Sequence, residues 1–126
     1  MTTVALDASA LMAPVERGLR PFDELDRLLG GADLVVPGAV LAELDRLADG
    51  ASEEARAARV GRDLAERCRE VETNEENGDD ALVALATAGE ADYVVTTDRP
   101  LRDRLLAAGV TVVETRGRTR LEITDS

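Results

Sequence analysis

Short apolar runs alternate along this chain with stretches in which apolar residues recur every three or four positions. Val4, Ala5 and Leu6 make the first run, in a strand expected over 3–6, and Leu34-Val35-Val36 makes the second, ending at Pro37. Two more follow at 93–96 and 110–113. Runs this short, bounded by turn residues, read as buried strands. The stretches between them have helical spacing. Residues 7–12 begin a helix that Pro14 and Gly18 are expected to interrupt, and Pro21 opens another with Phe22, Leu25, Leu28 and Leu29 inward, stopped by Gly30-Gly31. A third covers 39–48, with Val40, Leu41, Leu44 and Leu47 as its stripe and Gly50 beyond it. Ser52 suits an N-cap ahead of Glu53 and Glu54, opening a helix expected to run to about 70. Its face is mostly Arg, Glu and Ala, which predicts an outer helix or part of a partner surface.

Residues 71–73 suit a short strand, and 81–88 suit a helix apolar on nearly all sides and therefore buried. Asp98-Arg99-Pro100 opens the last helix, with Leu101, Leu105 and Leu106 inward, and 121–123 suit an added edge strand. Alternation of strands with helices is the α/β signature of a parallel sheet. With 126 residues, no internal repeat and no low-complexity linker, a single domain spanning 1–126 is expected.

Composition narrows the chemistry. Phe22 and Tyr93 are the only aromatic residues, so the core must be built from Val, Leu and Ala. The chain has no His, which excludes His-ligated zinc and Ser–His or Cys–His catalysis. It has no Lys either, which removes Schiff-base chemistry and a phosphate-loop Lys. Cys68 is alone and reads as a small helix residue. What remains is carboxylate, the ligand type of hard divalent ions such as Mg²⁺ or Mn²⁺. No apolar run approaches the ~20 residues of a bilayer span, and no cationic start precedes an apolar block. A cytoplasmic location, away from membranes, is the expectation. The net charge of −11 argues against a nucleic-acid partner. An acid-rich, Lys-free chain also resembles proteins adapted to high internal salt, as in halophilic archaea, where the Debye length shrinks to about 3 Å, and a bound divalent cation reverses the local field.

Acids recur where strands meet helices. Asp7 follows the first strand, and Asp98 follows the 93–96 strand with Thr97 between. Asp79 and Asp80 stand at the mouth of the 81–88 helix. Glu43 lies one turn into the helix after the second strand; it flanks the apolar stripe on one side as Asp45 does on the other, and helix geometry does not choose between them. In a parallel sheet these junctions share one rim, where sites form. Carboxylates gathered there repel one another unless a cation holds them. A cation with open positions lowers the pKa of bound water and neutralises charge at a phosphodiester.

Each acid also has a plainer role. Asp7 suits an N-cap, and Asp98 before Arg99-Pro100 is an ordinary helix opening. Asp79 suits the cap of its helix and Asp80 the site, although spacing alone leaves that pair open. Capping accounts neither for Glu43 nor for the common rim. Ser9, Thr96 and Thr97 suit either local turn and strand roles or support of the acids. Arg116, Arg118 and Arg120 form the one dense basic patch, either a solvated turn or a phosphate contact.

These residues carry a resemblance. Leu6-Asp7-Ala8-Ser9, the 36–44 stretch, Asp79-Asp80-Ala81-Leu82 continuing to 86, and the 95–101 stretch are similar, in order and spacing, to the motifs of PIN domains. PIN domains are metal-dependent nucleases related in layout to flap endonucleases, and the resemblance spans Val4 to about Ile123. It implies a three-layer α/β/α fold with a parallel sheet of about five strands, a Mg²⁺ or Mn²⁺ site, and single-stranded or structured RNA as substrate. Carried over by position, Asp7, Glu43, Asp80 and Asp98 match the family's metal-holding and catalytic acids. Asp79, Ser9 and Thr97 are supporting candidates, and Arg99, Arg116, Arg118 and Arg120 candidate RNA contacts.

The 97–102 stretch followed by Arg116-Gly117-Arg118 resembles archaeal relatives of ribosomal-RNA-processing PIN nucleases, with VapC-type toxins the next nearest. Those two branches imply a ribosome-assembly partner or an antitoxin respectively, and a homodimer is common in the family. An inactive PIN module binding RNA or protein is the reading without chemistry, and the four acids weigh against it. Receiver and haloacid-dehalogenase folds also place Asp after a first strand. They require a Lys this chain lacks, and the dehalogenases a second Asp where Ser9 stands.

Overall fold

In the computed structural model, which describes residues 1–125, six strands form one sheet in the order β3-β2-β1-β4-β5-β6. The strands are β1 (Thr3–Leu6), β2 (Asp33–Pro37), β3 (Arg69–Val71), β4 (Tyr93–Val95), β5 (Thr111–Arg116) and β6 (Arg120–Thr124). The helices are α1 (Ala8–Arg17), α2 (Pro21–Leu29), α3 (Gly38–Leu47), α4 (Glu53–Leu64), α5 (Gly78–Thr87) and α6 (Arg99–Ala107). The first five strands are parallel, and β6 returns antiparallel to β5. This is the expected α/β/α layering, with the anticipated edge strand making six strands instead of about five.

β1 is central because its apolar run can be covered on both faces: Val4, Ala5 and Leu6 are fully buried. Val94 and Val95 on β4 beside it, and Val112 and Val113 on β5 beyond, are equally enclosed. The chain steps outward from β1 through β2 to β3, then crosses back to place β4 on the other side of β1. The strand order therefore reverses between β1 and β4. In an open parallel sheet that reversal leaves a crevice at the carboxyl ends of the two strands. Asp7 and Thr96 are the first residues past those ends.

Several local expectations give way to packing. Pro14 does not interrupt α1; buried Leu11, Met12 and Ala13 hold the helix through it, and Gly18, in left-handed conformation (φ 69°), ends it. α4 stops at Leu64, and one 3₁₀ turn leads into β3 two residues earlier than the pattern predicts. Pairing wins there: Val35 to Pro37 register with Arg69 to Val71, and Arg69 clamps Asp33 of β2 at 2.7 Å. α5 buries only Gly78, Ala81, Leu82 and Leu85 and exposes its far end.

α4, expected as an outer helix or part of a partner surface, packs one side against α1. Its small residues Ala55, Ala57, Ala58 and Gly61 are buried, and a Cβ on Gly61 would stand 3.0 Å from the Leu11 carbonyl oxygen on α1. Backbone cannot retreat as a side chain can. Gly61→Val is therefore expected to cost roughly 1–3 kcal/mol by overpacking, read as a lower midpoint in urea unfolding.

The β5–β6 hairpin is strapped down by cations. Arg17 donates to the carbonyls of Gly117 and Arg118, and Arg118 donates back to the Glu16 carbonyl at 3.0 Å. On α2, Glu24 Oε1 accepts from Arg27, Arg120 and the Leu121 amide at 2.8, 3.1 and 2.9 Å. Arg27 above all, with the Leu121 amide and Arg120, pulls the Glu24 carboxyl down to about 2.

Candidate active site

The Asp7 amide donates to the Val95 carbonyl at 3.0 Å, extending the β1–β4 pairing one residue beyond the strands. Its side chain is thereby delivered to the crevice. Asp7 is 4% exposed and Thr96 1%, the two buried polar residues among those described. Asp7 Oδ1 accepts the neighbouring Ala8 amide at 2.9 Å. Oδ2 accepts the Ser9 hydroxyl at 2.7 Å and the Thr96 hydroxyl at 2.8 Å. Those hydroxyl oxygens in turn accept the Thr97 and Asp98 amides, each at 3.0 Å. Two hydroxyls thus knit the ends of β1 and β4 around one carboxylate oxygen. Helix capping explains one Asp7 oxygen and leaves the better-connected one unexplained. Burial pushes the Asp7 carboxyl up, against the lowering pull of Ser9 and Thr96.

Three more acids surround this centre electrostatically. Glu43, on α3, is raised by burial and then by the charges of Asp7, Asp79 and Asp98, with Arg46 opposing. Asp79, on α5, is raised by burial and by Asp98, with Arg104 opposing, and its charge adds to the rise at Asp7. Asp98 precedes α6 but makes no side-chain cap bond, so the ordinary helix opening does not use its carboxylate.

The structure separates the pairs that spacing left open. Asp45 turns to Arg62 at 3.1 Å, while Glu43 faces the other acids. Asn77, not Asp79, caps α5: its Oδ1 accepts the Asp79 and Asp80 amides at 2.8 and 3.2 Å. Relieved of capping, Asp79 joins the acids at the crevice. Asp80, the position matched by the resemblance, points outward to Arg104 Nη1 at 2.7 Å, both side chains about half exposed. Sequence reasoning missed Asn77 as the cap, although Asn three residues before Asp80 is an N-cap signal.

Supporting residues also change places. Thr96 supplies the hydroxyl expected equally of Thr97, and Thr97 contributes its amide. Of the basic turn, Arg118 and Arg120 are spent on strapping the hairpin to α1 and α2, while Arg116 is exposed. The cations that act on the acids are Arg46 and Arg104, neither singled out by the pattern. Arg99 lines the same cleft as Thr96, Thr97 and Asp98, together with Arg102 and Glu114. Arg102 is held by Glu114 at 2.9 Å and Asp103 at 2.8 Å.

A family model described as a PIN like domain matches residues 4–118. The chain belongs to the PIN-like domain family. Its fold is similar to that in the "Structure of the PIN domain endonuclease Utp24", with a TM-score of 0.76 at 21% identity, covering 98% of this chain and 93% of that one. No curated protein sequence matches the chain.

For a PIN-like domain the question is whether these side chains suit a divalent ion. Among the described residues, no three acids are gathered closely enough to grip an ion in their present positions. The donor set nevertheless fits one. It is all oxygen, and Asp7, Glu43 and Asp79 are raised by burial and then by the negative charge of neighbouring acids, a repulsion that a dication relieves.

Proposed function

We propose that this PIN-like domain is an endoribonuclease that hydrolyses single-stranded RNA with the help of Mg²⁺ or Mn²⁺. The observation that carries the reading is that Asp7 stands in the crevice where the strand order reverses and that the charges of Asp7, Asp79 and Asp98 all act on Glu43. Hydrolysis adds one water across a P–O bond and leaves a phosphomonoester and a hydroxyl. Asp7, Asp79 and Asp98 would hold the ion, which when bound supplies positive charge to the phosphodiester and acidifies water. Glu43, with its raised proton affinity, would help hold the ion through the attacking water, orienting that water and accepting its proton. Ser9 and Thr96 keep the Asp7 carboxylate from rotating. Asp80 acts in the Arg104 ion pair.

RNA must approach a chain of net charge −11. Arg46, Arg99 and Arg104 beside the acids, with exposed Arg116, are the cations suited to meet its phosphates. The sequence's resemblance to ribosomal-RNA-processing relatives favours a processing role over a toxin's.

Labelled single-stranded RNA incubated with the purified chain tests this. Cleavage is expected with Mn²⁺ and not with chelator. Asp79→Asn should cost about 100-fold or more in rate, and Asp80→Asn less than about threefold. If no RNA is cut with Mn²⁺ present, the domain is a binding module. If Asp80→Asn is the damaging change, the two aspartates have been assigned the wrong way round.

A further inference from the structure

Most glycines here serve turns: seven have φ between 52° and 108°. Gly78 is not among them. It is the first residue of α5, buried, in a conformation alanine adopts readily. Alanine would even favour the helix. Space explains the glycine instead. A Cβ on Gly78 would stand 3.0 Å from Glu43 Oε1 and 3.4 Å from Val40 Cγ2. Glu43 reaches from α3 to the start of α5, and its carboxylate rests so close that a methyl there would crowd it by a few tenths of an ångström. Asp79 is the next residue.

We propose that Gly78 is a positioning residue: by lacking a side chain it seats the Glu43 carboxylate among Asp7, Asp79 and Asp98. The inference rests on the proposed role of those acids in holding a divalent ion. The closer obstructed atom is the end of a flexible side chain and the other, Val40 Cγ2, is at ordinary contact, so a methyl shifts the carboxylate by a few tenths of an ångström and leaves the backbone in place. The site is impaired and the fold is not.

Two measurements on four proteins decide it: melting temperature without metal, and Mn²⁺ affinity by calorimetry. The proteins are the wild type, Gly78→Ala, Glu43→Asp and the double variant. Gly78→Ala is expected to melt no lower than wild type and to bind Mn²⁺ about tenfold more weakly. Aspartate is one methylene shorter and does not reach the new methyl, so adding Gly78→Ala to Glu43→Asp should weaken binding less than about threefold. Equal Mn²⁺ affinity in wild type and Gly78→Ala overturns this inference and leaves the proposed function standing. So does the same tenfold loss in both backgrounds, or a lower metal-free melting temperature for Gly78→Ala, since either marks a packing role. A wild-type chain that binds no Mn²⁺ overturns the metal reading and this inference with it.

Discussion

Asp7→Asn is expected to reduce RNA cleavage by about 10³-fold or more, roughly 4 kcal/mol of transition-state stabilisation, while the metal-free protein melts no lower than wild type. The two halves of that result have one cause. Asp7 is buried, and burial raises its proton affinity; the ionised form is held at a cost to folding. Asparagine removes the charge and keeps the shape. Its carbonyl oxygen can still accept the Ala8 amide. Its amide can donate to the Ser9 oxygen while the Ser9 hydroxyl turns to donate to the Thr96 oxygen across their 3.2 Å separation. What is lost is a negative ligand at the centre of the acid group. Cleavage assays paired with thermal melts check both halves. Full activity in the variant would remove Asp7 from the chemistry, and a collapse in melting temperature would mean that its carboxylate serves mainly as scaffold.

Saturating Mn²⁺ is expected to raise the melting temperature at neutral pH and to do little under acid conditions. An ion at 100 times its dissociation constant stabilises the native state by about 2.7 kcal/mol. In a domain of this size that corresponds to roughly 10 °C. The pH dependence follows from the directions of the shifts. Asp7, Glu43 and Asp79 bind protons more tightly folded than unfolded, so without metal their contribution to stability falls as pH rises from the ordinary carboxylate range through their raised values.

Glu24, held near 2 by Arg27, the Leu121 amide and Arg120, acts oppositely: its contribution is present above about 4.5 and lost as pH falls toward 2. Metal-free stability should therefore peak on the acid side of neutrality. Mn²⁺ must displace the protons that favour that peak, and so moves the optimum upward. Melting curves at pH 7.5 and pH 5, with and without Mn²⁺, read this directly. A shift of equal size at both pH values would mean that the ion binds somewhere other than these acids.

The order of strands and helices was legible in the sequence because each element declares itself locally. Val4-Ala5-Leu6 is an apolar run, and Phe22, Leu25, Leu28 and Leu29 repeat at helical spacing. Composition also narrowed the candidate chemistry, since a chain without His or Lys has carboxylate as most of its titratable side chains besides Arg. Boundaries failed where a partner element intervened. Arg69 and Glu70 read as helix but pair with Val35 and Val36, because a backbone ladder outweighs a propensity of a few tenths of a kcal/mol. α4 read as an outer helix or part of a partner surface because Ala and Gly look neutral in a pattern, yet small size is what lets α1 approach one side of it.

The candidate site divides in the same way. The sequence by itself determined that acids stand at Asp7, Glu43, Asp79, Asp80 and Asp98, and that strand-to-helix junctions collect them on one rim. Only the tertiary structure decided which of them face one another. Asp79 and Asp80 are adjacent, so their roles depend on how α5 is turned about its axis. That turn is set by Asn77 at its cap, by Ala81, Leu82 and Leu85 in the core, and by Gly78 against Glu43. Rotation of a helix is a property of its packing, and no spacing along the chain encodes it. The same holds for Asp7, whose carboxylate is fixed by hydroxyls at Ser9 and Thr96, 87 residues apart in sequence and 3.2 Å apart in the fold.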